Sequence, residues 1–308
     1  MSYHVVNVDS VGCTVTCKDQ QLVCISQDGD SRTVPLEDVG SIVVTSFKAT
    51  LTNRLLVESA KHGITLVVCD GFKPAGIMVP VNRSSDTLLT RAHLAVHARQ
   101  RGVLWRRTID AKVRNQWLLC REWSAAHRGS IALASMQNSS GNHKEALAAR
   151  HHWRVFGDAL ALPGFRRDRK GGGVNCLLNY GYGVLLSVVT QRMLAIGIDP
   201  TFGIAHVARE KALPLAYDLM EPFRPWVDAE VVNQVKRHGG AHRVAMDRDT
   251  RAALGEVVVK PVRRGTNAVE RRIVIEEVLR SFREAVMERK PSLYKPWTPK
   301  ASRWDGCS

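Results

Sequence analysis

The sequence predicts an α+β protein in which a small β-rich N-terminal domain with one helix precedes a larger all-α domain. Hydrophobic side chains follow a period of about two through the first 80 residues and a period near 3.6 after residue 87. The formal charge changes at the same place, because residues 1–90 carry a net −2 and residues 91–308 a net +17. We therefore divide the chain into four segments, 1–80, 81–86, 87–289 and 290–308.

The first segment consists of short β-prone runs separated by turn residues. Asp28, Gly29 and Asp30 close one run, as expected of a turn between paired strands. A single helical pattern covers 51–61, with leucines on one face and Gly63 just beyond its end. The predicted strands lie near residues 5–8, 14–16, 21–25, 41–44, 64–69 and 76–79.

The rest of the chain is predicted to be helical after a polar linker at 81–86. Polar or glycine-rich connectors, notably 138–142 and 169–173, separate the helical patterns. Residues 290–308 contain three prolines among basic residues, which predicts an extended basic tail. The predicted helices cover 87–123, 143–157, 174–197, 213–221, 227–237 and 267–289.

The composition excludes several classes of protein. With 44% hydrophobic and 24% charged residues, the chain is typical of a globular protein and not of a disordered one. No apolar run approaches the roughly 20 residues that cross a bilayer, so no membrane association is expected. The N-terminus lacks the pattern of a secretory signal, and the seven cysteines are scattered without metal or redox spacing. We therefore expect reduced thiols and a cytoplasmic location in a prokaryote.

The basic charge of the second part indicates a polyanionic partner. The whole chain carries +15, and nearly all of the excess lies beyond residue 90. Solubility alone seldom separates charge in this way, so nucleic acid is the favoured partner. Charge by itself does not choose between DNA and RNA.

A few acidic and histidine side chains stand where they could bind a divalent metal. Asp218 and Glu221 share one helical face, and Pro222 places Glu221 at a helix end. If two such carboxylates, Glu145 being the upstream one, and the imidazole of His206 converge in the fold, they form an oxygen-rich site suited to Mg²⁺ or Mn²⁺ and to phosphoryl transfer. Each residue alone also has an ordinary interpretation: a first-turn acid, a helix-terminal histidine, or ion pairs with Arg209, Lys211 or Arg224.

Several segments together resemble the CRISPR adaptation integrase family, the catalytic member of the two-protein set that inserts new spacers. The Lys-Val-Arg-Asn-Gln run at 112–116 is similar to a Lys-Ile-x-Asn-Gln element of that family, and Glu145 lies in a similar Glu-(x)-Ala-Ala-Arg pattern. The sequence departs from the family at Gly172-Gly173, where members often have Asp-Pro. The other matching segments are 175–182, 197–200, 203–206 and 215–225.

The resemblance implies a site and a reaction. Glu145, His206 and Glu221 fall on the family's catalytic metal ligands, and Asp218 on a neighbouring acidic position. The 3′-hydroxyl of a captured DNA fragment would attack a phosphodiester at the border of a CRISPR repeat. No nucleotide cofactor is expected, because the chain contains no Gly-x4-Gly-Lys-Ser/Thr loop. The family also implies a homodimer formed through the β-rich domain, with a dimer of a small companion protein bridging two such dimers.

Contacts with double-stranded DNA are expected from the basic second part of the chain, mostly to phosphates. Trp297 and Trp304 in the tail could stack on unpaired bases or seal a protein interface. The candidate contact residues are Arg106, Arg107, Lys112, Arg114, Arg166, Arg167, Lys170, Arg224, Arg263 and Arg264.

Two other functions compete with integration. A metal-dependent nuclease would use the same site with water in place of the 3′-hydroxyl. A non-catalytic scaffold that bends or bridges DNA would need only the basic surface, and the joint presence of Glu145, His206 and Glu221 argues against it. Divalent-ion-dependent strand transfer distinguishes the integrase from the nuclease.

Overall fold

The computed structural model describes residues 4–70, 73–78, 80, 84–138, 144–206, 213–264, 267–299 and 304. Its N-terminal part contains eight strands and one helix among the described residues. In chain order these are β1 (His4–Val8), β2 (Thr14–Lys18), β3 (Gln21–Ile25), β4 (Ser31–Pro35), β5 (Val39–Val44), β6 (Thr50–Leu51), α1 (Asn53–Lys61), β7 (Thr65–Asp70) and β8 (Lys73–Met78).

The strands form two four-stranded sheets that share one apolar core. One sheet has the order β1-β5-β7-β8, with β8 antiparallel to β7 and the other pairs parallel. The other has the order β4-β3-β2-β6. Val15, Leu22, Ile42 and Leu55 are buried between the sheets and α1. Strand residues alternate between this core and the other face, which explains the period of two in the sequence.

The rest of the described chain is mostly helical, so the predicted α+β class is confirmed. A two-stranded antiparallel hairpin, β9 with β10, is inserted before the last helix. The elements are α2 (Ser84–Leu94), α3 (Ala98–Trp123), α4 (Arg128–Ser135), α5 (Lys144–Ala159), α6 (Val174–Ala195), α7 (Pro214–Met220), α8 (Arg224–Arg237), α9 (Arg248–Gly255), β9 (Pro261–Arg264), β10 (Asn267–Glu270) and α10 (Arg271–Met287).

Helix α6 lies at the centre of the molecule and joins its two parts. Its apolar residues continue around most of the helix, as expected of a helix that is packed on several sides. Ala195 packs against Val43 and Val67 of the first sheet, and buried Arg192 donates a hydrogen bond of 2.5 Å to Asn7. Within the described ranges, no helix is long and apolar enough to cross a membrane.

The structure corrects several predicted boundaries. The pattern at 87–123 covers two helices, because Val96 turns into the core and His97 accepts a hydrogen bond from the Gln100 amide to begin α3. Helix α2 starts at Ser84, inside the predicted linker, whose residues 81–83 lie outside the described chain. Neither α4, α9 nor the hairpin was predicted, and the last helix begins only at Arg271.

The prediction of an extended tail is wrong for the described residues 290–299 and 304. Tyr294 is fully buried, and Trp297 and Trp304 are only 8% and 6% exposed. The Trp297 ring lies 4.6 Å from the Trp226 ring, between their centroids. The two tail tryptophans therefore fill this chain's own core, where burial of a large aromatic surface outweighs solvation of the neighbouring lysines.

Candidate active site

Three of the four metal-site candidates singled out in the sequence line one cleft of about 710 Å³ in the helical part, and Asp218 is not among its lining residues. Its lining residues come from helices α3, α5, α6, α7 and α8, from the turn at Glu221, and from the loops before α6 and α7. Glu145, His206 and Glu221 all face this cleft. Its other polar and charged residues are Lys112, Gln116, Arg167, Arg169, Tyr182, Tyr217, Arg224 and Asp228.

The two glutamates meet at one lysine. Glu145 lies in the first turn of α5, and Glu221 begins a 3₁₀ turn between α7 and α8, since α7 ends before the Glu-Pro pair. The Lys112 ammonium on α3 lies 2.7 Å from Glu145 Oε1 and 2.6 Å from Glu221 Oε2. Three elements distant in sequence thus converge on one point.

Glu221 is the more tightly held of the two carboxylates. Its side chain is 5% exposed, against 38% for Glu145. Arg224, one turn further on, donates a hydrogen bond of 2.7 Å from Nε to Glu221 Oε1. Burial alone would raise the pKa of Glu221, but Arg224 and Lys112 outweigh it and lower this pKa to about 2. Glu221 is therefore a carboxylate in the folded protein at neutral pH.

His206 is oriented by a buried aspartate. Its Nδ1 lies 2.5 Å from Asp218 Oδ1, and this fully buried carboxylate also accepts hydrogen bonds from the Ile204, Ala205 and His206 amides. The loop needs glycine at 203, because a Cβ there would lie 2.3 Å from the His206 carbonyl oxygen. With Nδ1 engaged, the other ring nitrogen, Nε2, is the one available to a ligand.

The side-chain donors of Glu145, His206 and Glu221 fit a divalent metal, and Lys112 lies between the two glutamates. As it stands, the described part of the chain contains no cluster of three His, Cys, Asp or Glu side chains close enough to hold a metal ion. However, Glu221 Oε2 is buried, and its partner among the described residues is the Lys112 ammonium at 2.6 Å. A buried carboxylate oxygen of this kind, with Glu145 and His206 on the same cleft, suits Mg²⁺ or Mn²⁺.

A series of buried, hydrogen-bonded polar side chains lies beside the cleft and supports it. Asp228, on α8, accepts hydrogen bonds from the Tyr182 hydroxyl and, at 2.9 Å, from His152 Nε2. The other His152 nitrogen lies 3.3 Å from Cys120 Sγ. Burial, followed by the Asp228 charge, raises the pKa of both Tyr182 and Cys120 well above their ordinary values. These groups stay neutral and fix the face of α8 that carries Arg224.

Comparison with known proteins identifies the family. The family model described as CRISPR associated protein Cas1 matches residues 6–256. This chain belongs to the Cas1 family. A relative in Neisseria meningitidis serogroup C, named CRISPR-associated endonuclease Cas1, is 30% identical over 228 residues, covering 72% of this chain and 73% of the relative.

Two solved structures share the fold of this family member. One is a casposase bound to its integration product, with a TM-score of 0.70 and 17% identity over 97% of this chain and 99% of the casposase. The other is a chain of a partial Cas6-RT-Cas1–Cas2 complex, with a TM-score of 0.77 and 16% identity over 98% of this chain and all of that one. At such identities the similarity concerns the fold alone.

The ten predicted DNA-contact residues of this Cas1 family member differ in their surroundings. Lys112 and Arg224 are paired with Glu221, and Arg107 Nε donates to the Tyr294 carbonyl oxygen, so these three are engaged within the protein. Arg167 faces the cleft and binds the Asn175 and Asn179 side chains. Four are exposed, Arg106, Arg166, Lys170 and Arg263; Arg114 is half-buried, and the Arg264 side chain lies outside the described atoms.

Several polar residues of the cleft were not predicted from the sequence, among them Arg169, Tyr182 and Asp228. Arg169 lies in the glycine-rich connector that was interpreted only as a loop, and Tyr182 lies in a segment used only for the resemblance. Asp228 follows Glu221 and Arg224 at seven and four residues, a spacing that places all three on one helical face. That periodicity was the available signal for Asp228.

Proposed function

We propose that this Cas1 family member is a metal-dependent DNA integrase of CRISPR spacer acquisition. The observation that carries the proposal is the convergence of Glu145, Glu221 and the Asp218-oriented His206 on one cation-lined cleft. The names of relatives agree with it, since they describe endonucleases, a casposase with its integration product, and a Cas1–Cas2 complex.

Glu145, His206 through Nε2, and Glu221 would hold Mg²⁺ or Mn²⁺ in the proposed site. When bound, the metal neutralises charge on the scissile phosphate and stabilises the leaving oxygen. Asp218 serves as a positioning residue, because its oxygens already accept the loop amides and His206 Nδ1. Arg167 and Arg169 on the cleft wall bind backbone phosphates of the DNA beside the reacting bond.

The proposed partners are double-stranded DNA, a second copy of this chain and a Cas2-like companion. The basic helical part provides the DNA surface, consistent with the net +17 of residues 91–308. Strands β1 and β4 form outer edges of their sheets and offer backbone groups for pairing with the second copy. The companion would bridge two such dimers.

Strand transfer tests the function directly. Short duplexes with free 3′-hydroxyls are incubated with supercoiled plasmid carrying a CRISPR repeat, with Mn²⁺ or Mg²⁺ and with or without the companion protein. We expect metal-dependent joined products from the wild type and a loss of at least about 100-fold in His206→Ala and Glu145→Gln. These positions are half-exposed, so both variants should stay folded.

The other outcomes identify the alternatives. DNA degradation without joining by the wild type would replace the integrase with a nuclease. DNA binding without any reaction would support a scaffold. Undiminished joining by both variants would remove the proposed ligands from the mechanism.

The positioning role of Asp218 gives a separate prediction. Asp218→Asn keeps the side-chain shape but replaces one acceptor oxygen with an amide, so His206 loses its fixed orientation. We expect strand transfer and Mn²⁺ affinity to fall by about 10–100-fold, as for other partners of metal-binding histidines. Asp158→Asn, which alters the partner of surface His127, is the control. Unchanged Mn²⁺ affinity in Asp218→Asn would contradict the assignment.

A further inference from the structure

Lys112 occupies the position between the two carboxylates that the proposed function gives to a metal. Its ammonium is within 2.7 Å of Glu145 and 2.6 Å of Glu221, and its side chain is 10% exposed. An ammonium and a divalent cation have the same electrostatic preference for such a pair of oxygens. Both cannot occupy the space between these oxygens at once.

The four charges that are in direct contact at this point balance one another. Lys112 and Arg224 provide two positive charges, and Glu145 and Glu221 provide two negative ones. Adding a divalent cation leaves a net positive charge in a largely buried place, which is unfavourable without a further anion. A DNA phosphate entering the cleft supplies that anion.

The Lys112 ammonium has space to move within the same cleft. Lys112 lines it together with Arg167 and Arg169, so an ammonium released from the carboxylates remains on a surface suited to phosphate. The flexible four-carbon stem lets the charge move while the α3 backbone stays in place. Glu221 keeps its second partner, Arg224, throughout.

We propose that Lys112 is a placeholder cation that holds Glu145 and Glu221 together before metal binds and is transferred to a DNA phosphate when it does. This inference rests on the proposed function, since it assigns the same two carboxylates to the metal. Its consequence is that metal and DNA each strengthen the binding of the other. Without DNA the metal must compete with a charge built into the chain.

Mn²⁺ binding without any reaction tests the placeholder. Calorimetric titration of the full-length wild type and Lys112→Met is carried out with and without a short DNA duplex that lacks 3′-hydroxyls. We expect Lys112→Met to bind Mn²⁺ at least about 10-fold more tightly than the wild type without DNA, since a competing charge has been removed. DNA should tighten Mn²⁺ binding by the wild type by roughly 5–150-fold, the usual range of coupling between two binding sites. In Lys112→Met the same DNA should tighten Mn²⁺ binding by a smaller factor.

A matched variant and a second substitution make the result decisive. Arg99→Met removes an exposed cation from the same helix and should leave the Mn²⁺ affinity unchanged. Lys112→Gln repeats the test with a polar side chain in case the methionine variant does not fold. Equal or weaker Mn²⁺ binding by folded Lys112 variants would overturn the placeholder alone. Absence of Mn²⁺ binding by the wild type, with and without DNA, would overturn the proposed metal site as well.

Discussion

Glu221→Gln is expected to lower strand transfer by at least about 100-fold, the cost of removing one preorganised charged group from an active site. It is also expected to lower the free energy of unfolding by about 3–5 kcal/mol, because Lys112 and Arg224 lose a buried counter-charge. Chemical denaturation and the strand-transfer assay measure the two effects separately. Glu145→Gln is the matched control, with a similar loss of activity but a stability change of about 0–1 kcal/mol at its half-exposed position.

The same ion pairs predict how stability depends on pH. The folded-state pKa of Glu221, about 2, lies below its ordinary value of 4.5. Its contribution to stability is therefore complete above pH 4.5 and is lost as the pH falls toward 2. Denaturation midpoints measured across this window should fall more steeply for the wild type than for Glu221→Gln. Parallel pH profiles, or a fully stable Glu221→Gln, would contradict the buried charge cluster.

Trp297→Ala is expected to destabilise the protein by about 3–5 kcal/mol, the usual cost of truncating a large aromatic side chain in a core. The Trp297 ring packs against Trp226 and Trp304. The backbone carbonyl oxygen of Trp297 accepts a hydrogen bond of 3.0 Å from Asn115. Asn115 also binds the Pro222 carbonyl at 2.7 Å, so the tail supports the turn that begins at Glu221. Equilibrium unfolding in urea measures the loss.

Lys295→Ala is the control for this prediction. Lys295 is exposed two residues before Trp297, so its removal should change the free energy of unfolding by less than about 0.5 kcal/mol. A DNA-binding tail would give the opposite pattern. In that case Lys295→Ala would weaken DNA binding, and Trp297→Ala would leave stability unchanged.

The sequence contained enough to predict the fold class and, with the family resemblance, three of the residues that share the cleft. The change of period near residue 87 follows from geometry, because strands and helices present their apolar faces at different spacings. Glu145, His206 and Glu221 were brought together only by family resemblance, and all three line one cleft. Short elements such as α4 and the β9–β10 hairpin were missed because packing, not periodicity, determines them.

The ion pairs of Lys112 with Glu145 and Glu221 could not be predicted, because a cation in a sequence does not reveal its partner. Lys112 was interpreted as a DNA contact, while its neighbours in space are 33 and 109 positions away along the chain. The prediction of an extended tail was wrong for a related reason. Its prolines and lysines are typical of an extended arm, but the few aromatic residues between them carry most of the apolar surface and determine where it packs.

The buried tail also constrains how the protein can be made. Thr108 and Asn115 form hydrogen bonds with Tyr294 and Trp297, which lie 186 and 182 positions later in the chain and are therefore synthesised well after them. Until then Trp297 does not pack against the indole of Trp226. Contacts between residues so distant in sequence also form slowly. The helical core is therefore completed only after residues 294–297 have been synthesised. A prematurely terminated product would expose this aromatic surface to chaperones and proteases.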